Sequence, residues 1–412
     1  MKTPTHHQAG RRRSRWVTVV AASTVLAMLL VACGADDDAD EPDTEEAAEP
    51  EDEPDEAVED EVDEAEEDDE PAEVVEITWI SPRGSLEVMD DYNLWVPIEM
   101  GYFEELGLDV ELIAGPQEAT APSRFVAEGQ ADVGYPSPGV LTSSIDAGMP
   151  VVSIFGMMAG QTFNFAVPTD SDITSPEDLE GKEISVADAG WQVIIDPMLI
   201  EIGIDPDSVE YVEAGAQWGQ AVSLGQVDAG LGWEGLRAQW EAQGLEVDWL
   251  VGQDWSEHPS NVYNIHAEEL DDPERVDVWE RFIKGMVMGF EFARANPQAA
   301  AQLTYRQFPD LSASMEPQLA LDSLIELGSL YGLSDKQGDG WGYHYEDGWS
   351  DYLSIIHDLG QTEELLDPGQ VYTNDLLTAG NDIDLDRVRA DAEAFELDED
   401  FAGTTVRTDL EL

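Results

Sequence analysis

The stretch from Tyr92 to Leu112 switches from the spacing of a helix to the spacing of a strand, and this switch constrains the fold most. Its first part places apolar residues three or four positions apart, which is typical of an amphipathic helix. After Gly107 the apolar and polar residues alternate, which is typical of a half-buried strand. A first strand is predicted one loop earlier, at 77–81, so this region supplies half of a βαβ unit.

The same alternation of strands and helices continues along the chain. Strands are predicted at 77–81, 110–113, 131–135, 151–157, 183–186, 209–212, 227–231 and 247–251, with helices at 123–128, 138–147, 193–202, 217–224 and 236–243. Short links between alternating elements predict parallel sheets covered by helices. Beyond residue 265 the pattern is helical, and an apolar stripe from Val276 to Phe290 predicts a core helix. Helices are also predicted at 319–331 and 348–359.

A six-residue pattern occurs twice, as Gly-Gln-Ala-Asp-Val-Gly at 129–134 and as Gly-Gln-Val-Asp-Ala-Gly at 225–230. Each copy ends a predicted helix at its first glycine and starts a predicted strand. The fold therefore contains one such turn in each half of the folded region.

Two further motifs carry a family resemblance. Gly-Tyr-Phe at 101–103, followed by Gly-Leu-Asp-Val at 107–110, and Asp-Leu-Glu-Gly-Lys at 178–182 resemble the periplasmic substrate-binding proteins of ABC importers. That family includes binders of thiamine precursors, sulfonates, taurine and nitrate. The resemblance covers about residues 76–380, and the segment 371–377 is similar to the tail of the thiamine-precursor branch.

The resemblance implies an α/β fold of the periplasmic binding protein type II class, with two Rossmann-like lobes joined by a two-strand hinge and followed by C-terminal helices. The twin turns would then be equivalent in the two lobes. The predicted layout is a lipoprotein signal peptide at 1–33, an acidic tether at 34–75, the first part of lobe 1 at 76–166, lobe 2 at 167–262, the return to lobe 1 with C-terminal helices at 263–380, and a tail at 381–412. Crossings between the lobes are expected at 165–168 and near 261–265.

The first 33 residues are typical of an export signal. Four arginines precede an apolar run at 16–31, which is too short and too closely followed by charges for a membrane span. Leu30-Val31-Ala32-Cys33 looks like a bacterial lipobox, and Cys33 is the only cysteine of the chain. We expect a lipid-anchored protein on the outer side of the cell membrane, by a general or twin-arginine export route.

The chain is very acidic, with a formal net charge of −73. Residues 36–73 hold 25 acidic side chains, and such a segment favours an extended tether over a packed core. From residue 74 onward 66 acids still face 13 bases, which is most simply the solvated surface of a halophilic protein. Nucleic acid and anionic membrane surfaces are poor partners for this charge.

Ligands of open α/β sheets lie beyond the carboxyl ends of the strands, and in a two-lobed protein the cleft between the lobes is the expected site. The side chains that follow the predicted strands or lie on the crossings are therefore the candidate ligand-binding residues: Trp79, Ser81, Asp90, Asn93, Ser137, Gln161, Asp188, Trp191, Trp218, Trp233, Glu234 and Tyr263. Simpler roles stay open, because a serine can just cap a helix, a carboxylate can be solvated, and a tryptophan can be core.

These loops offer mainly carboxylates and indoles, with Arg83 as the main exception. Aromatic faces and acceptors suit a flat, amino-bearing or cationic heterocycle, so a thiamine pyrimidine precursor fits better than taurine. A sulfonate, taurine or nitrate ligand is the alternative within the family and would need more donors or positive groups. The first loop, 82–92, is longer than in the thiamine-precursor branch.

Four other functions compete with this interpretation: a dinucleotide-binding protein, a hydrolase, an enzyme of pyrimidine synthesis, and a sensor or adhesion module. Residues 230–235 match the dinucleotide pattern G-x-G-x-x-G, and Ser137 narrowly misses a nucleophile elbow. An exported enzyme of pyrimidine synthesis, or a sensor or adhesion module, is also conceivable. No histidine shows the context of a triad or a metal site, so we expect no catalytic residue, metal or cofactor. The preferred function is a monomeric receptor that closes on a small molecule and docks on the permease subunits of an ABC importer.

Overall fold

The computed structural model describes residues 74–116, 120–158, 160–309, 311–313, 315–331, 339–408, 410 and 412. The predicted signal peptide with Cys33, and the tether up to residue 73, lie outside these residues. In the part of the chain that is described, no helix is both long and apolar enough to cross a membrane.

In the described residues, ten strands form two separate five-stranded sheets. The first sheet has the order β2-β1-β3-β10-β4, and the second has the order β7-β6-β8-β5-β9. The strands are β1 Val75–Ile80, β2 Leu108–Ile113, β3 Val133–Gly134, β4 Val151–Gly156, β5 Phe163–Pro168, β6 Glu183–Val186, β7 Glu210–Glu213, β8 Ala229–Trp233, β9 Val247–Leu250 and β10 Val262–His266.

Helices cover both sheets and make up the C-terminal third of the described chain. They are α1 Tyr92–Glu99, α2 Tyr102–Glu105, α3 Ala121–Ala127, α4 Pro138–Asp146, α5 Gln192–Glu201, α6 Trp218–Ser223, α7 Glu234–Ala242, α8 Pro273–Ala295, α9 Pro297–Arg306 and α10 Pro317–Tyr331, followed by Glu346–Asp358, Pro368–Val371, Leu377–Gly380, Leu385–Ala394 and Glu399–Ala402. The fold is thus α/β with two lobes, each built on one sheet, and C-terminal helices. This confirms the predicted fold class.

The predicted switch from helix to strand after Tyr92 is confirmed. α1 and α2 are separated by Gly101 and end at Gly107, and both glycines have positive φ angles, of 75° and 69°. Positive φ angles disfavour any side chain with a Cβ, so these glycines end the helical segments. β2 follows at once, with Leu108, Val110 and Leu112 buried on one face.

The prediction of purely parallel sheets is wrong, because both sheets are mixed. β2, β1 and β3 run parallel, as do β7, β6 and β8. β10 inserts antiparallel between β3 and β4, and β5 inserts antiparallel between β8 and β9. Each of these two strands follows a crossing between the sheets, so local alternation did not reveal its direction.

The first crossing lies earlier than expected. Residues 165–168 belong to β5 of the second sheet, so the chain crosses at 157–162, between β4 and β5. The return is near the predicted position, because the chain crosses back at 251–261 and enters the first sheet through β10.

The twin turns make the same pair of hydrogen bonds in both lobes. The carboxylate of Asp132 accepts from the backbone N–H of Thr78 at 2.8 Å, and the carboxylate of Asp228 accepts from that of Glu183 at 3.0 Å. In return, the backbone N–H of each aspartate donates to the carbonyl of the same partner, at 2.9 and 3.0 Å. Each turn therefore links the connection that leads into β3 or β8 to the neighbouring parallel strand, which is β1 in the first lobe and β6 in the second.

The apolar stripe predicted at 276–290 lies in the core of the first lobe. α8 buries Trp279, Ile283, Met286 and Phe290 completely or almost completely. It packs against α1, the helix that opens the first βαβ unit. The hydrophobic core assembled there holds the loops after β1 and β3 in place.

Candidate functional site

A small cavity of about 90 Å³ lies where the loops of the two sheets meet. We call it the inner cavity. Its walls come from both lobes, from the two crossings and from α10: Pro82, Arg83, Asp90, Tyr135, Pro136, Ser137, Val140, Met158, Thr162, Phe163, Trp191, Ile194, Leu231, Trp233, Asn261 and Leu327. This is the position at which a two-lobed α/β protein holds its ligand.

A larger cleft of about 620 Å³ adjoins the inner cavity, and we call it the outer cleft. The two spaces share Pro82, Arg83, Trp191 and Trp233 as a common wall. The outer cleft adds the carboxylates of Glu87, Asp188 and Glu213, along with Trp218. Together they are large enough for a small organic ligand.

Three half-buried indoles of the second lobe form one aromatic cluster at this wall. Trp191 lies edge-on to Trp218 and to Trp233, with centroids 5.5 and 6.2 Å apart, and Trp218 stacks on Trp233 at 6.4 Å. The ring N–H of Trp218 donates to the carbonyl of Leu231 at 2.8 Å, which fixes that ring. Such faces suit a flat or cationic ligand.

Asp188 stabilises the turn that carries Trp191. Its carboxylate accepts from the backbone N–H of Gly190 at 2.8 Å and so caps the short 3₁₀ turn Ala189–Trp191 that leads into α5. Asp188 is itself only half-buried and lines the outer cleft. The simpler alternative for Asp188 was a solvated carboxylate. The side chain instead caps this turn and also lines the outer cleft.

The first lobe supplies the charged groups of the inner cavity. Arg83 donates through Nη2 to the Asp91 carboxylate, and its Nη1 lies 3.7 Å from Oδ2 of Asp90. The same Asp90 oxygen accepts from the ring N–H of Trp233 at 3.2 Å. Because Asp90 and Trp233 belong to different lobes, this hydrogen bond joins the lobes directly across the cavity.

Burial changes the acidity of this cluster. It raises the pKa of Asp90 to about 6, although the nearby Arg83 guanidinium pulls it back down. Burial also acts to lower the pKa of Arg83, but the carboxylates of Asp91 and Asp90 outweigh it and the net change is upward. Arg83 is therefore a permanent cation, while Asp90 ionises close to neutrality.

Several residues that line the inner cavity carry a buried polar atom with no hydrogen-bond partner among the described residues. These atoms are Nε of Arg83, Oδ1 of Asp90, Oγ1 of Thr162 and Oδ1 of Asn261. A buried polar group without a partner costs roughly 1–3 kcal/mol, so such groups call for a ligand or ordered water. The set contains both a donor and acceptors on a largely apolar, aromatic wall.

Ser137 combines both roles that its position allowed. It is the N-cap of α4, where its hydroxyl accepts from the backbone N–H of Val140 at 3.4 Å. It also lines the inner cavity. Of the twelve predicted ligand residues, the structure therefore brings six to these two spaces: Asp90, Ser137, Asp188, Trp191, Trp218 and Trp233.

Four predicted residues lie behind the cavity wall in the first lobe and do not line it. Trp79 and Tyr263 are fully buried and pack on Tyr135, which does line the cavity, with ring centroids 5.9 and 5.0 Å away. Asn93 donates to the Tyr263 hydroxyl at 3.2 Å, and the hydroxyl of Ser81 accepts from the backbone of Arg83 at 3.0 Å. β1 lies inside its sheet with layers on both faces, so its final residues are covered.

Two more predicted residues form hydrogen bonds with the start of β5, next to the first crossing. Gln161 accepts from the backbone of Phe163 at 3.1 Å. Glu234 accepts from the side chain of Asn164 at 2.7 Å and pairs with Arg237. Both side chains are buried, and neither lines the inner cavity or the outer cleft. They hold β5 and the start of α7 together.

The glycine pattern at 230–235 has a packing reason. A Cβ on Gly235 would lie 2.3 Å from Oδ1 of Asp90, so only glycine lets α7 approach the carboxylate of the other lobe. A carboxylate at this helix start is unfavourable for a pyrophosphate. The dinucleotide hypothesis loses its support.

Ser153, His344 and Asn374 do form a hydrogen-bonded chain, which the sequence did not indicate. The Ser153 hydroxyl lies 2.7 Å from Nε2 of His344, and Nδ1 of His344 lies 3.0 Å from the Asn374 oxygen. Burial lowers the pKa of His344 to about 4, and its ring stacks on Tyr372 at 4.6 Å. This chain anchors the 371–377 segment to β4, away from the inner cavity.

Other wall residues were not expected from the sequence. Tyr135 and Pro136 directly follow β3, so the same rule that selected Ser137 could have found them. Met158, Thr162 and Asn261 lie on the crossings, whose bounds were misplaced or uncertain. Leu327 comes from α10, far along the chain, and no local pattern marks it.

The sequence matches the family described as "NMT1/THI5 like" over residues 91–300. A "Putative thiamine biosynthesis protein" of Haemophilus influenzae is 27% identical over 144 residues, which are 35% of this chain and 46% of that protein. The match thus spans less than half of that relative. A "Formylaminopyrimidine-binding protein" of Halalkalibacterium halodurans is 26% identical over 231 residues, or 52% and 68% of the two chains. A "4-amino-5-hydroxymethyl-2-methylpyrimidine phosphate synthase" of Aspergillus parasiticus is 24% identical over 237 residues, or 54% and 67%.

Solved structures share the fold at low sequence identity. The periplasmic nitrate-binding protein NrtA from Synechocystis has a TM-score of 0.56 at 11% identity, covering 78% of this chain and 98% of its own. A putative periplasmic sulfonate-binding protein SsuA from Methylobacillus flagellatus has a TM-score of 0.51 at 14% identity, covering 81% and 98%.

Proposed function

Because the chain belongs to the NMT1/THI5-like family, we propose that it is an exported solute-binding protein that delivers a small amino-bearing heterocycle to the permease of an ABC importer. Family and fold together support a binding protein of the periplasmic kind. The proposed ligand resembles the pyrimidine precursors of thiamine.

One observation carries the proposal: the inner cavity combines an indole wall with buried polar atoms that lack partners. Trp191 and Trp233 offer ring faces, and Asp90, Thr162 and Asn261 offer acceptor oxygens. A flat ring with amino groups satisfies both, because it stacks on the indoles and donates to the oxygens. A sulfonate or nitrate would instead place its oxygens against those acceptors.

Binding would close the two lobes. A ligand in the inner cavity touches the loops of both lobes and therefore favours the closed arrangement over an open one. The hydrogen bond from Trp233 to Asp90 already spans the same gap and would add to closure. The permease would then recognise the closed form.

The export signal and the lipid on Cys33 belong to the same proposal. A binding protein held by its lipid on the outer face of the membrane stays near its permease, and the acidic segment 34–73 would give it reach. We propose a monomer, since one chain supplies all walls of the described cavity.

The test is a thermal-shift screen followed by calorimetry on the protein without its signal peptide, in high salt. Probes are 4-amino-5-hydroxymethyl-2-methylpyrimidine, formylaminopyrimidine, taurine and nitrate. We expect 1:1 binding of a pyrimidine and a rise in melting temperature, since a ligand at 100 times its Kd stabilises by about 2.7 kcal/mol. Binding of taurine or nitrate alone would contradict the proposed ligand.

An enzyme of pyrimidine synthesis is the second candidate, because several relatives bear the name of a synthase. Mass spectrometry for newly formed pyrimidine phosphate separates the two functions. The protein is incubated with cell extract as the source of precursors and with no added pyrimidine: a synthase forms the phosphate named in those relatives, whereas a binding protein forms none.

A further inference from the structure

The loop between β1 and α1 gives the site an unusual charge balance. Among the described residues that line the inner cavity or the outer cleft, Arg83 is the only arginine or lysine. It faces two buried carboxylates, those of Asp90 and Asp91, whose side chains are 3% and 1% exposed. The cluster thus holds two carboxyl groups for one guanidinium, so the arginine does not present an uncompensated positive charge at the wall of the cavity.

The guanidinium of Arg83 is already engaged on one edge. Nη2 donates to Asp91, and Nη1 lies 3.7 Å from Asp90. An arginine that recognises a sulfonate or nitrate normally presents two parallel N–H groups to it. Here those groups point to protein carboxylates, and an incoming anion would also meet the field of both carboxylates at low dielectric.

Three buried atoms of the cluster lack a partner among the described residues: one donor, on Arg83, and two acceptors, on Asp90 and Asp91, of which Asp91 lines neither space. Nε of Arg83 and Oδ1 of Asp90 are buried and have no partner among the described residues, and both residues line the inner cavity. The other oxygen of Asp90 is taken by Trp233. An amino heterocycle carries the complementary pair, since its amino group donates and the neighbouring ring nitrogen accepts.

We infer that Arg83, Asp90 and Asp91 act as a charge filter, which admits neutral or cationic amino heterocycles and refuses anions. The inference rests on the proposed function and names the substrate class of that site. Asp90 is the acceptor for the ligand's amino group, and Asp91 is a positioning residue that occupies Arg83. The site has an arginine but still selects against anions, because carboxylates occupy that arginine.

The test removes the two carboxylates and asks whether anions then bind. The variants are Asp91→Asn and the double variant D90N/D91N, with ethanesulfonate and 4-amino-5-hydroxymethyl-2-methylpyrimidine as probes in calorimetry. We expect the double variant to bind ethanesulfonate at least 10-fold more tightly than the unchanged protein does. We expect its affinity for the pyrimidine to fall 10-fold or more.

The triple variant R83Q/D90N/D91N should lose the gained anion binding, because the released cation is gone. Glu291→Gln is the matched control, since it removes a buried carboxylate from another arginine pair, with Arg294, outside both spaces. It should leave both affinities unchanged. Melting curves check folding of each variant, and Asp91→Asn alone gives the same anion comparison if the double variant does not fold.

The outcomes separate the filter from the proposed function. Unchanged protein that binds ethanesulfonate as tightly as D90N/D91N would overturn the filter, even if the pyrimidine also binds. Unchanged protein that binds neither probe, with anion binding gained only in the variant, would support the filter and count against the proposed ligand. Anion binding that survives Arg83→Gln in the triple variant would also overturn it.

Discussion

The two lobes share a frame but present different chemistry to the cavity between them. In both lobes an aspartate of the twin turn exchanges hydrogen bonds with a neighbouring parallel strand of its sheet, Asp132 with Thr78 of β1 and Asp228 with Glu183 of β6. The loops that reach the cavity differ. The first lobe supplies Arg83 and Asp90 to the inner cavity, whereas the second supplies three indoles and, at the outer cleft, the carboxylates of Asp188 and Glu213. The hydrogen-bonded turns repeat in both lobes, whereas each lobe presents different side chains to the cavity.

This division predicts that the second lobe contributes most of the binding energy. Replacing Trp233 with alanine removes a ring face from the common wall and the donor to Asp90. We expect the affinity for the pyrimidine that binds best to fall by a few hundred-fold, or about 3–4 kcal/mol, as at other buried aromatic anchors. Isothermal titration calorimetry measures the change.

Trp249→Ala is the control for that experiment. Trp249 is a half-buried tryptophan of the same lobe that packs on Trp240 and lines neither space. Its loss should lower stability without changing affinity by more than a few-fold. Equal losses of affinity in both variants would mean that the indole wall is not the binding surface.

The contribution of the first lobe should instead be visible in the pH dependence of stability. The pKa of Asp90 is raised from 3.8 to about 6, so its contribution to stability is full below pH 3.8 and is lost as pH rises through about 6. A change of this size corresponds to roughly 3 kcal/mol. The ligand-free Asp90→Asn variant, which cannot ionise, should therefore gain stability relative to the unchanged protein between pH 4 and pH 8.

Urea unfolding at fixed salt over that pH range makes this measurement. Ser137→Ala is a suitable control, because Ser137 lines the same cavity but does not titrate. Its stability should differ from that of the unchanged protein by a nearly constant amount. Parallel curves for Asp90→Asn as well would show that Asp90 ionises as it does in the unfolded chain.

The sequence predicted the shared frame better than the divided site, for physical reasons. Helical and alternating spacing, glycine at helix ends and the twin turns are local signals, and they located most strands and helices. The directions of β5 and β10 depend on contacts between distant segments, so the sheets were wrongly expected to be parallel. The alternation of apolar and polar residues in a short segment cannot show beside which strand a distant segment will pair, or in which direction.

The same distinction explains the site residues. Side chains after β3, β6, β7 and β8 were correctly expected near the cleft, because strand ends meet there. Trp79 and Tyr263 were expected beside them, but layers on both faces of the first sheet cover both rings. In the sequence, Arg83 was noted only as the main exception among loops that offer carboxylates and indoles. Its pairing with Asp91 depends on the shape of a long loop, which no spacing rule describes.

The weakest expected effect tests the frame itself. Asp132→Ala and Asp228→Ala each remove one carboxylate that accepts from the backbone N–H of a neighbouring strand. A single such bond contributes about 1–2 kcal/mol, because the N–H is left poorly satisfied. If the turns are equivalent, both variants should lose similar amounts of stability in urea unfolding, and neither should lose more than a few-fold in affinity. Replacement by asparagine, which keeps an acceptor oxygen, should restore most of the loss in each lobe. A large loss of stability in one lobe and none in the other would show that the two copies of the sequence do not stabilise their lobes equally.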